Sequence, residues 1–162
     1  MTGESTNIES FVSVTYRETV AMIEEMTDYL VRRAERDRQT LPDSASAAFA
    51  GESIRLTTRL VQVMAWLLNQ RAVQANEIST EQARRPRRRL GNISVCLGRP
   101  CTGAELLPFE LQDMLDRSED LFLRVLRLDR LLLAAPGENP VHDLIRDLNS
   151  GISKPKPEGG GS

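Results

Sequence analysis

The stretch Arg55–Val73, "RLTTRLVQVMAWLLNQRAV", constrains this chain more than any other. From Leu60 to Leu68 the single polar residue is Gln62. Leu56, Leu60, Val63 and Leu67 recur at steps of four, three and four, which places them on one side of a helix. Ile54, Val61, Met64 or Ala65, Leu68 and Ala72 form a second stripe beside the first. One apolar stripe buries one side of a helix, and two stripes bury two. The segment is therefore predicted to be a central helix that touches its own bundle and a further surface. A membrane span is the competing reading, and length argues against it. The apolar centre is about half of the ~20 residues that cross a bilayer, and Arg55, Arg59 and Arg71 bound it closely.

The flanks read as helical too. From Asn7 or Ile8 to about Glu35, Phe11, Thr15, Met22, Met26 and Tyr29 or Leu30 recur at spacings of three and four, with slips. Residues 1–6 read as frayed, and Asn7 as the cap. Leu41-Pro42 marks a turn, because a residue before proline avoids the helical region. Asp43 or Ser44 then caps the central helix, which runs to about Ala75. Ser79-Thr-Glu-Gln82 has the form of a capping box for a short helix over 80–85. Pro86 stops that helix. The run from Arg87 to Leu106, with three glycines and Pro100, is predicted as loop, with a brief extended piece at Ile93–Leu97. Pro108 fits the first turn of a third long helix. Its buried face is marked by Leu111, Leu115, Phe122, Val125, Leu128 and Leu132, with Met114, Leu121 and Leu131 alongside. A short helix is expected at Val141–Leu148, and no apolar periodicity after it.

Aromatic residues make up only 4% of the chain, and Leu, Ala, Met and Val dominate, which suits helix packing better than a β-sandwich. The expectation is an all-α three-helix bundle with antiparallel long helices, a short helix and loop between the second and third, and a flexible tail. The bundle is assigned to residues 1–135 and the tail to 136–162.

Groups that could do chemistry are sparse. Cys96 and Cys101 read as reduced thiols of a cytoplasmic protein, since "MTGESTNIES" carries no targeting signal. The only histidine, His142, lies far along the chain, and nothing has the paired spacing of a structural zinc site. A nucleophile needs a base and a group that orients the base, and no such set is visible. No catalytic, cofactor-binding or metal-binding residue is assigned, so no enzyme activity is expected. A small redox or hydrolytic enzyme using Cys96, Cys101 or His142 is the rival reading.

The net charge is −2, so nucleic-acid binding would require a local patch. "RRPRRR", Arg84, Arg85, Arg87, Arg88 and Arg89 around Pro86, is such a patch. It reads as a solvated loop, as a contact for an acidic protein surface, or as a phosphate contact. A proline inside the run and the shortage of aromatics weigh against DNA reading and single-strand stacking. Val61, Met64, Trp66 and Leu68 are the candidates for a dimer or core seam.

Taken in order, "SFVSVTYRETVAMIEEMTDYL", "ESIRLTTRLVQVMAWLLNQRAV", "NEISTEQA", "RLGNISVCLG" and "LPFELQDMLDRSEDLFLRVLRLD" resemble the RcdA family, the alphaproteobacterial regulators of CtrA degradation. The likeness spans about Ser10 to Asp129. It implies a three-helix bundle, commonly dimeric, with a mobile C-terminal tail. It also implies an adaptor that helps deliver CtrA and other cell-cycle substrates to the ClpXP protease, by way of the ClpX unfoldase. The partners it implies are CpdR, a protease-priming receiver protein, and PopA, a cyclic-di-GMP-binding effector.

Overall fold

The computed structural model describes the backbone of residues 2–133 and side-chain surroundings from Asn7 to Leu132. Every regular element among the described residues is helical: α1 Thr2–Arg32, α2 Ala34–Gln39, α3 Asp43–Gln74, α4 Thr80–Ala83, α5 Ile93–Cys96 and α6 Phe109–Leu133, with 3-10 turns at Pro86–Arg88 and Ala104–Leu106. The helix expected at Val141–Leu148, the tail over 136–162 and His142 lie outside the described residues.

The first helix begins at Thr2, so Asn7 lies inside it and caps nothing. No proline separates residues 2–6 from the amphipathic run, and a helix once nucleated propagates through such residues. Its buried side is Val12, Thr15, Thr19, Met22, Met26 and Tyr29, an unbroken three–four repeat. The slips in the sequence pattern disappear once Thr19 is counted as an inside residue. Its hydroxyl bonds the Thr15 carbonyl at 2.7 Å, so it is buried without an unmet donor. At Arg33 the helix kinks and restarts as α2. The kink buries Ala34 and lets the Tyr29 hydroxyl donate to Asp37 at 2.9 Å.

Pro42 occupies the cap position of α3, with Asp43 and Ser44 already inside the helix, so neither side chain is the cap. The Pro42 carbonyl accepts from Ala45 and Ser46. At the far end Asn76 adopts φ 57°. Glu77 N–H then reaches the Ala72 carbonyl at 2.9 Å and Asn76 N–H the Val73 carbonyl at 3.0 Å, the paired bonds that close a helix on a left-handed residue. The capping box at Ser79 and Gln82 forms as expected. Ile93–Cys96 is one turn of helix and not an extended piece. Pro108 sits just outside α6, where its carbonyl accepts from Gln112 N–H at 3.0 Å.

Cross-helix contacts fix the directions. Glu18 pairs with Arg124, Glu25 with Arg117 and Arg33 with Glu110, so α1 and α6 are antiparallel. Tyr29 stacks near Phe49 and Arg71 lies over the Tyr16 ring, so α1 and α3 are antiparallel too. By contrast Arg59 meets Ser118 and Trp66 meets Asp129, so α3 and α6 run parallel. The expectation of antiparallel long helices is corrected for that pair. Parallel neighbours require the chain to travel back along the bundle between them, and the connector over 75–108 does so. The core between the three helices includes Leu56, Leu60, Val63, Leu67, Leu111, Met114, Leu121, Phe122 and Val125, all nearly inaccessible to solvent.

Candidate functional site

Helix α3 has three different sides. The first is the apolar stripe of Leu56, Leu60, Val63 and Leu67, which lies in the core as the spacing predicts. The second is polar. Glu52, Arg55, Arg59, Gln62 and Asn69 line up along the helix and hold the returning connector. Asn69 donates to the Arg88 carbonyl at 3.2 Å and Gln62 accepts from Gly91 N–H at 3.0 Å. Arg59 donates to the Cys96 carbonyl at 2.7 Å, Arg55 to the carbonyls of Gly98 and Arg99, and Glu52 accepts from Cys101 N–H at 2.7 Å. At Gly51 a Cβ would stand 2.7 Å from the Cys101 sulfur, so glycine gives the connector room to approach.

Arg59 is the hub of this side. It is 2% exposed. Besides Cys96 it reaches the Leu115 carbonyl at 2.9 Å, the Ser118 hydroxyl at 3.3 Å and the Glu119 carboxylate, tying α3, the connector and α6 together. Burial lowers its pKa, and the charge of Glu119 opposes that shift.

The third side faces solvent. Ile54, Val61 and Leu68, seven residues apart, are 65%, 55% and 51% exposed. Ala47, Ala50 and Ala65 are exposed with them. Between Ala47 and Gln70 the only charged residues are Glu52, Arg55 and Arg59, and all three are turned to the connector. The solvent side of this helix therefore carries no charge over that length. Apolar side chains grouped on one exposed helix face are uncommon on a surface that only meets water. Among the seam candidates, Val61 and Leu68 lie on this face and Met64 is half-buried. Trp66 is 1% exposed and donates from its indole nitrogen to Asp129 at 2.8 Å, which puts it in the core.

The arginine run is divided. Arg84 donates to the Leu132 carbonyl at 3.2 Å, Arg88 to Asn69 at 2.8 Å and Arg89 to Asp129 at 2.8 Å. Arg85 and Arg87 are exposed, and neither makes a side-chain hydrogen bond or ion pair among the described residues. Three of the five are thus tied to neighbouring elements, and Pro86 opens a 3-10 turn within the run. Asp129, which anchors Arg89, is itself 5% exposed and was not anticipated. The repeat Leu111, Leu115, Ser118, Phe122, Val125, Asp129 is the signal that places it inside.

The thiols are free and poorly activated. Burial pushes the Cys96 pKa up, and a hydrogen bond with Glu52 does the same for Cys101. The thiolate is the reactive form, so both shifts disfavour nucleophilic chemistry near neutral pH. Among the described residues no group of three or more His, Cys, Asp or Glu is placed to hold a metal ion, and no helix is long and apolar enough to cross a membrane.

The described residues define an all-α protein: a three-helix bundle whose polar groups largely hold its own connector and whose central helix shows one uncharged face. A family model described as "Protein of unknown function (DUF1465)" matches residues 4–152, and the chain belongs to that family. Among solved structures it is similar to the crystal structure of RcdA from Caulobacter crescentus CB15, with 36% identity and a TM-score of 0.61 over 77% of this chain and 92% of that one. The RcdA resemblance read from the sequence is thus borne out. No curated protein matches the chain.

Proposed function

We propose that this chain is a proteolysis adaptor of the RcdA kind, which brings cell-cycle regulators such as CtrA to ClpXP, with CpdR and PopA as further partners, in the cytoplasm. The observation that carries this reading is the 36% identity to RcdA across most of both chains. The surfaces are consistent with it. An adaptor raises the effective concentration of substrate at the protease by tethering, and needs separate docking faces for that.

In this scheme the uncharged side of α3 is the seam between two copies. Ile54, Val61 and Leu68 are symmetrically spaced about Val61, so a two-fold axis there sets Ile54 against the other copy's Leu68. Such self-complementarity is what a two-fold interface requires. Arg85 and Arg87 meet an acidic partner, and the segment after Asn149 makes a transient contact during delivery. The alternative, a basic-loop nucleic-acid binder, loses support from the internal roles of Arg84, Arg88 and Arg89. A salt-dependent mobility shift abolished by reversing Arg85 and Arg87 would favour it.

The test is reconstituted degradation with ClpXP, CpdR, PopA and purified substrates, with and without this chain. A faster degradation of at least one substrate in the presence of the chain is expected. Identical rates with and without the chain would overturn the reading.

A further inference from the structure

Two large apolar side chains stand in water where the connector enters α6. Phe109, the first residue of that helix, is 83% exposed, and Leu106, at the end of the 3-10 turn before it, is 50% exposed. Leu107 and Leu111 are the buried residues at this junction, so the core does not call on either. Gln112, one turn on from Phe109 and its neighbour on the helix surface, donates to the carbonyls of Glu105 at 3.3 Å and Leu107 at 2.6 Å. These bonds draw Leu106 against the start of α6, beside Phe109.

A cleft of about 370 Å³ adjoins this apolar spot. Phe109, Gln112, Asp116 and Glu119 recur at steps of three, four and three, which sets them in one row along α6. The last three line the cleft together with Ala104, Glu105 and Leu115. Its inner wall is Glu52, Arg55 and Arg59, and these are spent inside the molecule, on the connector backbone and on Glu119. The carboxylates of Glu105 and Asp116 are exposed and meet no donor among the described residues. An acidic first turn answers the helix dipole, which accounts for Glu110, itself held by Arg33. Asp116, Glu119 and Asp120 lie beyond that turn. Over residues 99–120 six carboxylates stand against two arginines. Of those two, Arg117 is paired with Glu25 and Asp113, and Arg99 is exposed and does not line the cleft.

We infer that Leu106, Phe109 and the adjoining cleft are a docking site for a basic segment of a partner protein. The segment sets a large apolar side chain on Phe109 and Leu106, and a lysine or arginine in the cleft against Glu105 and Asp116. Charge complementarity selects this occupant. An acidic segment is repelled by the two carboxylates, and a purely apolar one covers them without giving them a partner. An exposed aromatic ring supplies the anchor that such contacts concentrate on. Phe109 and Asp116 are seven positions apart on α6, ~10 Å along its axis. The partner's apolar and basic residues therefore lie about three positions apart if the segment is extended, or about seven apart if it is a helix. The site is distinct from the uncharged side of α3 and from Arg85 and Arg87. Peptide binding is read without protease or substrate, so the inference stands or falls apart from the adaptor reading.

Panning a display library of random peptides on the full chain, with counter-selection on Phe109→Ala, tests it. Enriched peptides should join a large apolar residue to lysine or arginine at one of those spacings. In fluorescence anisotropy an enriched peptide should bind Phe109→Ala at least about tenfold more weakly than the parent chain. The double variant Glu105→Lys, Asp116→Lys should weaken it by a similar factor, and added salt should weaken the parent complex. All three positions are exposed, so circular dichroism of the variants should match the parent. No enrichment over Phe109→Ala overturns the inference, and so do enriched peptides that are acidic or only apolar. Binding lost in Glu105→Lys, Asp116→Lys but kept in Phe109→Ala overturns it as well, since charge alone would then attract the peptide. Self-association in sedimentation that is abolished both by Phe109→Ala and by reversing Arg85 and Arg87 to Glu would make a second copy the occupant, and that too overturns it.

Discussion

Replacing Arg59 by methionine keeps most of the side-chain volume and removes the fork that joins three parts of the fold. The cost can be worked from its partners. Glu119 is 48% exposed, so water replaces the lost ion pair and that contact contributes little. The Cys96 carbonyl is different. It belongs to a one-turn helix against α3, and Arg59 at 2.7 Å is its side-chain donor. The Leu115 carbonyl also accepts from Ser118 at 2.8 Å, so it keeps a partner. One stranded carbonyl and the loss of charge-assisted bonds cost about 2–4 kcal/mol, set against a gain of ~1 kcal/mol or less from the apolar replacement. A net loss of about 2–3 kcal/mol corresponds to a fall in Tm of roughly 4–12 °C for a chain of this size. Glu119→Gln should cost under ~1 kcal/mol. Urea unfolding of both variants, read by circular dichroism and by Trp66 fluorescence, measures the two values. A Glu119→Gln loss as large as that of Arg59→Met would show instead that the ion pair dominates. A neutral Arg59→Met would refute the cost assigned to the stranded carbonyl, because the connector would then hold itself.

Gly51→Ala should change sign with its neighbour. Alone it forces a Cβ to within 2.7 Å of the Cys101 sulfur and destabilises by ~1 kcal/mol or more. In a Cys101→Ala background the clash is gone, and the helical gain of about 1 kcal/mol should appear in thermal melts. Tyr29 is held neutral by burial and by its bond to Asp37, so its pKa lies above the ordinary value of 10.0. A raised pKa favours the protonated form in the folded state. That stability is fully present below pH 10 and is lost as pH rises beyond it. Denaturant titrations from pH 8 to 11.5 should show the parent chain losing its advantage over Tyr29→Phe above pH 10, and a constant difference would refute the assignment. Reversing Arg85 and Arg87 to Glu should leave stability within ~0.5 kcal/mol. Arg89→Glu should cost about 3 kcal/mol or more, because it sets a second carboxylate against buried Asp129. Similar costs for the two variants would refute the division of the run.

The long helices were legible because each carries an apolar three–four repeat. What the sequence hid was the work of its polar residues. Thr19, Ser118 and Asp129 occupy inside positions, and reading only apolar residues turned their stripes into slips. Arg55 and Arg59 were read as charges bounding an apolar run, although Glu52, Arg55, Arg59, Gln62 and Asn69 share the three–four spacing of a buried stripe. Each meets a backbone group of the connector, and that connector's path is not encoded near them in sequence. For the same reason the parallel pairing of α3 and α6 was missed, since periodicity gives a face and no direction. The second stripe of the central helix is distinct from the core stripe, and its Ile54, Val61 and Leu68 are exposed within the single chain. Trp66 separated from those residues because its indole found Asp129, sixty-three positions away.

The proposed function requires this protein to hold substrate and protease together. The most direct measurement is the initial rate of substrate degradation by ClpXP and CpdR across a wide range of adaptor concentrations. A tether predicts a rate that rises, peaks and then falls, because excess adaptor places substrate and protease on separate molecules. Val61→Glu should shift that curve without changing the fold. A rate that climbs to a plateau and never declines, unaffected by Val61→Glu, would contradict the claim.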